Sequence, residues 1–249
     1  MERYHAVIVG AGAAGLSAAT CAASLAARVL VLDCDNGASS DFAKSGGGSA
    51  AAGTSFQEAA GIVDSPELWV EDIKRKTNNS VEKAIVRLVT SRARDAIHFQ
   101  ARRLAMDLHL VGNIPVAGHS VARLYGTPAE AGREYFETLA AAADRMPNIV
   151  RINDAEVTDL ITAGGTVTGV RARIRGREQQ FSAPFTLLAC GGFAANRTML
   201  RQFMPEIADA LHIGCRRNGG CGITWGQSLG AAAFTSNNLE CTYEPIIPT

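Results

Sequence analysis

A glycine-rich turn between two apolar runs, near the start of the chain, restricts the fold more than any other feature. Val7-Ile8-Val9 runs into Gly10-Ala11-Gly12-Ala13-Ala14-Gly15. An alanine-rich stretch follows, and Val29-Leu30-Val31-Leu32 ends in Asp33. The pattern is strand, tight turn, helix, second strand. Each glycine has a mechanical reason. Gly10 permits the sharp exit from the strand, Gly12 lets a pyrophosphate approach bare backbone, and Gly15 lets the helix lie close on the sheet. The free N–H groups and dipole of the helix start favour bound phosphate. Asp33 stands eighteen residues past Gly15, near the spacing of an acid that accepts ribose hydroxyls. The turn, the helix and the acid together point to dinucleotide binding.

The same stretch does not read as a membrane or export segment. Residues 6–32 carry a single charge, Arg28, but Glu2 makes a poor basic leader, and glycines and alanines supply much of the length. Lysine plus arginine equal aspartate plus glutamate at 24 each, so no charge excess draws the chain to nucleic acid or an anionic membrane. Six cysteines lie at positions 21, 34, 190, 215, 221 and 241 with no CxxC spacing, and no histidine pattern completes a metal site. They read as reduced thiols of a cytoplasmic protein; Cys215 and Cys221 could pair only if their Cα atoms lie close.

Further along, small residues run from Ala43 through Ser45-Gly46-Gly47-Gly48 to Gly53. Such a run builds no core but can lay N–H groups against a ligand. Ser65-Pro66-Glu67 opens a helix with Leu68, Trp69 and Ile73 on its apolar face. A second helix from Ser80 places Val81, Ile85, Leu88, Val89 and Ile97 on one side. His119 and Arg123 sit in a mixed segment, either facing a ligand or satisfied within the fold. Thr127-Pro128-Ala129-Glu130 has the form of a capping box for a helix running to about Met146. A short strand at 149–152 precedes alternating segments at 156–161, 166–174 and around 180–183, an antiparallel meander with Gly164-Gly165 at one turn. Residues 185–189 form a continuous apolar strand, fit for a buried parallel position, that ends in Cys190-Gly191-Gly192. Helices are expected at 196–203 and from the Gly219-Gly220-Cys221-Gly222 segment through Trp225 and Leu229.

This order resembles the fumarate reductase and succinate dehydrogenase flavoprotein family, which includes the 3-ketosteroid dehydrogenases and tricarballylate dehydrogenase. The likeness is carried by Ser45-Gly46-Gly47-Gly48, Asp64-Ser65-Pro66-Glu67-Leu68, Ala189-Cys190-Gly191-Gly192-Phe193 and Gly220-Cys221-Gly222-Ile223, with the opening turn. The resemblance implies an α/β, Rossmann-like FAD-binding domain with a parallel sheet, helices and an antiparallel meander. It implies FAD as cofactor. Gly10, Gly12, Ala13, Ala14 and Gly15 would hold the pyrophosphate and Asp33 the adenosine ribose. Ser45, Gly47 and Gly48 would lie beside the flavin. Val157 would meet the adenine through its backbone, and Ala189, Cys190 and Gly191 would close over the nucleotide. FAD is expected to be non-covalent.

Three positions depart from the family pattern: Asp33 stands where Glu is usual, Cys190 where Thr is usual and Cys221 where Asp is usual. Each lost hydrogen bond would cost about 1 kcal/mol if not replaced. Family members are also longer, and their capping domain and catalytic residues follow the part matched here. Residues 1–249 therefore read as the N-terminal portion of an FAD-binding domain, with no catalytic residue to name. The expected function is an FAD module for oxidation or reduction of CH–CH or C=C bonds beside a carbonyl or carboxylate. A dicarboxylate or ketosteroid-like substrate would bind only once the other half is supplied. A non-catalytic remnant or split subunit, or an NAD-dependent dehydrogenase, are the alternatives.

Overall fold

The computed structural model describes residues 3–112 and 115–231. In chain order these form β1 (Ala6–Val9), α1 (Ala13–Ser24), β2 (Val29–Leu32), α2 (Asp41–Lys44), β3 (Ser49–Ala50), α3 (Ser55–Ala59), α4 (Pro66–Lys76) and α5 (Lys83–Arg102). Next come β4 (His109–Leu110), β5 (Leu124–Gly126), α6 (Gly132–Asp144), β6 (Ile149–Ile152), β7 (Ala155–Ala163), β8 (Thr166–Ile174) and β9 (Arg177–Ser182). The last are β10 (Phe185–Leu188), α7 (Arg197–Phe203) and α8 (Cys221–Ser228). The expected Pro248-Thr249 end and Cys241 lie outside the described residues.

Two compact units divide the chain. One takes residues up to Ser49, Phe99–His109 and the stretch from Gly126; the other takes Ala50–His98 and Leu110–Tyr125. The first is built on a parallel sheet in the order β10-β1-β2-β6. Its central strands β1 and β2 are short continuous apolar runs because both their faces are covered. Val7, Val9, Leu30 and Leu32 pack on one side against Ala155, Val170, Ala172 and Ala183 of the antiparallel β7-β8-β9 meander. On the other side lie α1, through Leu16, Ala19 and Ala23, and α6, through Tyr135, Phe136, Leu139 and Ala143. Alanines at these helix positions allow close approach to the sheet.

Strand β10 is parallel, as expected, yet it is an edge. It pairs with β1 alone among the described strands, and Phe185 and Leu187 are 72% and 42% exposed. Among the described residues the continuous apolar run is thus an edge strand with one exposed face.

The second unit carries α3, α4 and most of α5. The Ser65 hydroxyl caps α4 by accepting the Leu68 N–H, and Pro66 takes the first helical position, as the sequence predicts. Trp69 is buried, whereas Leu68 stands out to solvent. Ile97 is the one member of the expected α5 face that is fully buried; Ile85, Leu88 and Val89 are half exposed. Arg123 occupies the core of this unit. Its guanidinium lies 2.8 Å from Asp64 and 2.6 Å from Asp72, and all three side chains are essentially inaccessible. It also lies over the Trp69 ring at 5.8 Å. Of the two readings open for Arg123, the satisfied one holds. His119 packs beside the Trp69 ring, and burial pushes its pKa down.

The expected capping box at Thr127 forms a turn instead. Glu130 N–H bonds the Thr127 carbonyl, Glu130 takes φ +49°, and the helix begins later, at Gly132. The delay has a steric reason. A Cβ on Gly132 would stand 1.9 Å from the Phe42 carbonyl oxygen, so the helix start must be a glycine pressed against α2.

Candidate functional site

The C-terminal ends of β1, β2 and β10 open onto one cavity of about 790 Å³, with Val9, Leu32 and Leu188 at its floor. That volume falls in the range of small-molecule sites. The cavity also lies where the strand order reverses. From β1 the sheet runs through β2 to β6 on one side and to β10 on the other, and ligands of open α/β sheets bind at such a switch point.

The glycine turn divides into two kinds of position. Gly10 has φ +108°, and a Cβ there would lie 2.3 Å from the Ala189 carbonyl oxygen. Gly15 would set a Cβ 1.9 Å from the Gly10 carbonyl oxygen. Both are demanded by the protein's own main chain. Gly12 is not. Its φ is −68°, and an added Cβ would make only ordinary contact with Ser40 at 3.5 Å. Its bare Cα lines the cavity, beside Ala13 and Ala14. Gly12 is also the N-cap of α1 and gives no side-chain cap; the first intrahelical bond runs from Leu16 N–H to the Gly12 carbonyl. The N–H groups of the first turn are therefore left for a ligand anion. A pyrophosphate fits this space.

Asp33 lines the same cavity and binds its own main chain there. One carboxylate oxygen accepts the Ala11 N–H at 2.6 Å, and the other accepts the N–H groups of Asp35 and Gly37 at 2.9 and 3.2 Å. It thus ties the tip of β2 to the glycine turn, a role that spacing alone did not reveal. Burial, with the nearby Asp35 carboxyl, holds its pKa above the ordinary range. Asp35 goes the other way. Burial opposes its ionisation, but hydrogen bonds from Asp33, the Ser39 hydroxyl and the N–H groups of Asn36 and Gly37 outweigh that and hold it well below the usual carboxylate range.

Beyond Asp33 the wall continues into Ala155, Glu156 and Val157. Ala155 N–H bonds the Asp33 carbonyl at 2.8 Å, which fixes β7 beside the acid. The β7–β8 register shifts just after Val157, so the ladder is interrupted next to the position expected to meet an adenine.

The opposite wall comes from the end of β10 and the start of α8: Ala189, Cys190, Gly191, Cys215, Arg217, Asn218, Gly219, Cys221 and Trp225. Asp41 organises it by accepting from the Cys215 main-chain N–H and the Asn218 side-chain amide. Asp41, Asn218 and Arg217 are site residues that sequence reading missed, since they carry no motif and meet across more than 170 positions. Arg217 is the one basic side chain among the residues lining the cavity.

Ten of the thirteen positions singled out from sequence (Gly10, Gly12, Ala13, Ala14, Asp33, Val157, Ala189, Cys190 and Gly191, with Gly15 packed directly beneath the turn) are thus brought together. Ser45, Gly47 and Gly48 do not line the cavity. Ser45 accepts the Gly132 N–H at 2.9 Å, and Gly47, at φ +71°, would drive a Cβ to 2.7 Å from the Gly132 nitrogen. Gly47 and the Ser45 carbonyl thus pack against the start of α6, whereas a Cβ on Gly46 would meet nothing within 4 Å. The described cysteines are free thiols; Cys221 faces Cys190 at 3.7 Å, and Cys215 lies beside the Ser39 hydroxyl at 3.8 Å. No cluster of three metal-ligating side chains occurs among the described residues, and none of their helices is long and apolar enough to cross a membrane.

This geometry has close parallels. The chain is 28% identical over 209 residues to the fumarate reductase (cytochrome) of Shewanella frigidimarina, covering 83% of this chain and 36% of that protein. It is 27% identical over 250 residues to fumarate reductase 1 of Saccharomyces cerevisiae, covering 96% of this chain and 53% of that one. Among solved structures, the open conformation of a flavocytochrome c3 fumarate reductase superposes with a TM-score of 0.84 at 24% identity, over 93% of this chain and 41% of that chain. The chain therefore spans between a third and about half of the length of these relatives. A family model described as an FAD binding domain matches residues 5–243, and the chain belongs to that family, whose cofactor is FAD.

Proposed function

We propose that this chain is the FAD-holding module of a flavin-dependent oxidoreductase that acts on CH–CH or C=C bonds next to a carboxylate or carbonyl. One observation carries the reading: Gly12 lacks a side chain for no reason internal to the protein, and it faces a cavity that the start of α1, Asp33 and Val157 share. Bound FAD would supply hydride exchange with the substrate carbon. The chain's own residues do the holding. Gly10, Gly12, Ala13, Ala14 and Gly15 form the pyrophosphate cradle, with Arg217 adding positive charge. Asp33 accepts from the ribose, Val157 offers main chain to the adenine, and Ala189, Cys190 and Gly191 cover the nucleotide. Ser45, Gly47 and Gly48 are assigned to the flavin side by family likeness alone. A fumarate-like dicarboxylate is the preferred substrate class, because the fumarate reductases named above are relatives; a ketosteroid is the second. The unpaired described cysteines favour a cytoplasmic setting.

Purified chain titrated with FAD should quench flavin fluorescence and retain a yellow band through desalting. A colourless protein that leaves FAD fluorescence unchanged overturns the reading. Assays with fumarate and a 3-ketosteroid then separate turnover from a second reading, a module that binds FAD without catalysis of its own. The absence of any motif-matched catalytic residue in the sequence favours that second outcome for the chain alone.

A further inference from the structure

Two thiols meet at the cavity wall. Cys190 follows β10 and Cys221 opens α8, and their sulfurs are 3.7 Å apart. Both are partly buried and both line the cavity, so a small solute that enters it reaches them. The family pattern puts Thr and Asp at these positions, and neither carries a thiol that could form a disulfide. We propose that Cys190 and Cys221 form a redox-active dithiol, that small-molecule disulfides oxidise it to an intramolecular disulfide, and that this closure weakens the hold on FAD.

The chemistry balances without a further reagent. The Cys221 thiolate attacks one sulfur of the small disulfide, forming a mixed disulfide and releasing one small thiolate. Cys190 then loses its proton and attacks the Cys221 sulfur, forming the internal S–S bond and releasing the second small thiolate. Two protein thiols are oxidised by two electrons, and the small disulfide is reduced to two thiols that take up the two protons. The roles follow from the surroundings. The hydrogen bond it shares with Cys190, helped by main-chain N–H groups of Cys221 and Gly222, outweighs burial and brings the Cys221 thiol down to about 6. Its partner Cys190 is pushed far above the ordinary thiol value by that same bond and by burial. Cys221, the first residue of α8, sits at a helix start whose N-cap gives no side-chain bond, which favours a thiolate there; it is the attacking thiolate and Cys190 the resolving thiol.

Closure also moves the wall. A disulfide needs its sulfurs about 2 Å apart. The main chain of Gly222 is already close, since a Cβ there would stand 2.9 Å from the Cys190 sulfur. Drawing the sulfurs together therefore shifts the end of β10 or the start of α8, the two segments assigned to cover the nucleotide. The consequence for FAD rests on the function proposed above; the cross-link does not.

The test is to equilibrate the whole chain in oxidised and reduced glutathione buffers, block remaining thiols with N-ethylmaleimide and map peptides by mass. The expected result is a Cys190–Cys221 cross-link in the oxidised sample that dithiothreitol removes. Cys190→Ser should stop at one glutathione on Cys221, and Cys221→Ser should leave Cys190 free. FAD affinity of the oxidised chain should fall about tenfold and return on reduction. Recovery of both cysteines as maleimide adducts from the oxidised buffer overturns the dithiol. A cross-link that leaves FAD affinity unchanged overturns its coupling to the cofactor. A chain that forms the cross-link but never binds FAD sinks the flavin reading, and the coupling with it, while the dithiol assignment stands.

Discussion

Two pairs of carboxylates, one buried and one half-buried, are held differently in this protein. Asp64 and Asp72, in the second unit, close on the Arg123 guanidinium. Asp72 also accepts the Ser120 N–H and hydroxyl, each at 2.8 Å. Asp33 and Asp35, in the first, are held chiefly by main-chain N–H groups of the turns around them, with no cation paired to either in an ion pair among the described residues. A carboxylate locked to a buried guanidinium is spent on the fold. A carboxylate held by backbone at a cavity wall stands at a surface a ligand touches. The difference separates a region that secures itself from one arranged to receive something.

The largest effect should come from Arg123→Met, which strands two buried acids and should cost about 3–5 kcal/mol by urea unfolding. Asp33→Asn should cost less, about 1.5–3 kcal/mol, as the loss of hydrogen bonds to a charged group; an equal or larger loss would erase the contrast. The Arg123 site also has a pH signature. Burial alone would raise the Asp72 pKa, but Ser120, Arg123 and Arg75 outweigh it and hold the carboxyl below its ordinary value of 3.8. A depressed folded pKa gives stability that is complete above the ordinary value and is lost as pH falls from there through the folded one. Unfolding measured from pH 7 to pH 3 should show wild type losing stability at the acid end, and Arg123→Met losing less of it there.

Next in size, Gly15→Ala should cost about 1–3 kcal/mol, because its Cβ meets the Gly10 carbonyl. Gly12→Ala should leave stability within about 0.5 kcal/mol and should instead lower FAD affinity about tenfold or more. If Gly12→Ala unfolds the chain and spares FAD, the separation of packing glycines from ligand-facing glycine is wrong. The smallest effect should be that of Arg217→Ala, a loss of severalfold in FAD affinity that shrinks as salt is added.

The parts of the site that lie close in sequence were legible. Val7 to Gly15 and Leu30 to Asp33 announce strand, turn, helix and acid through apolar runs and glycine spacing, and the meander announces itself by alternation. What stayed hidden depends on distant partners. Nothing near Gly132 tells that its Cα must press on Phe42, so Thr127 read as a cap when it starts a turn. Nothing near Asp33 tells that the Ala11 N–H claims one of its oxygens. Asp41 and Asn218, or Cys190 and Cys221, become neighbours only once β10 has docked on β1. Helical spacing correctly grouped Ile85, Leu88 and Val89 on one side of α5, but spacing cannot say whether anything covers that side.

The free flank of β10 has a practical consequence for handling the protein. Among the described residues no strand pairs with its outer edge, and two large apolar side chains, Phe185 and Leu187, are exposed there. Such a border invites intermolecular strand addition. Light scattering should therefore climb with concentration, and Phe185→Lys, by placing a charge on that border, should keep concentrated samples clear.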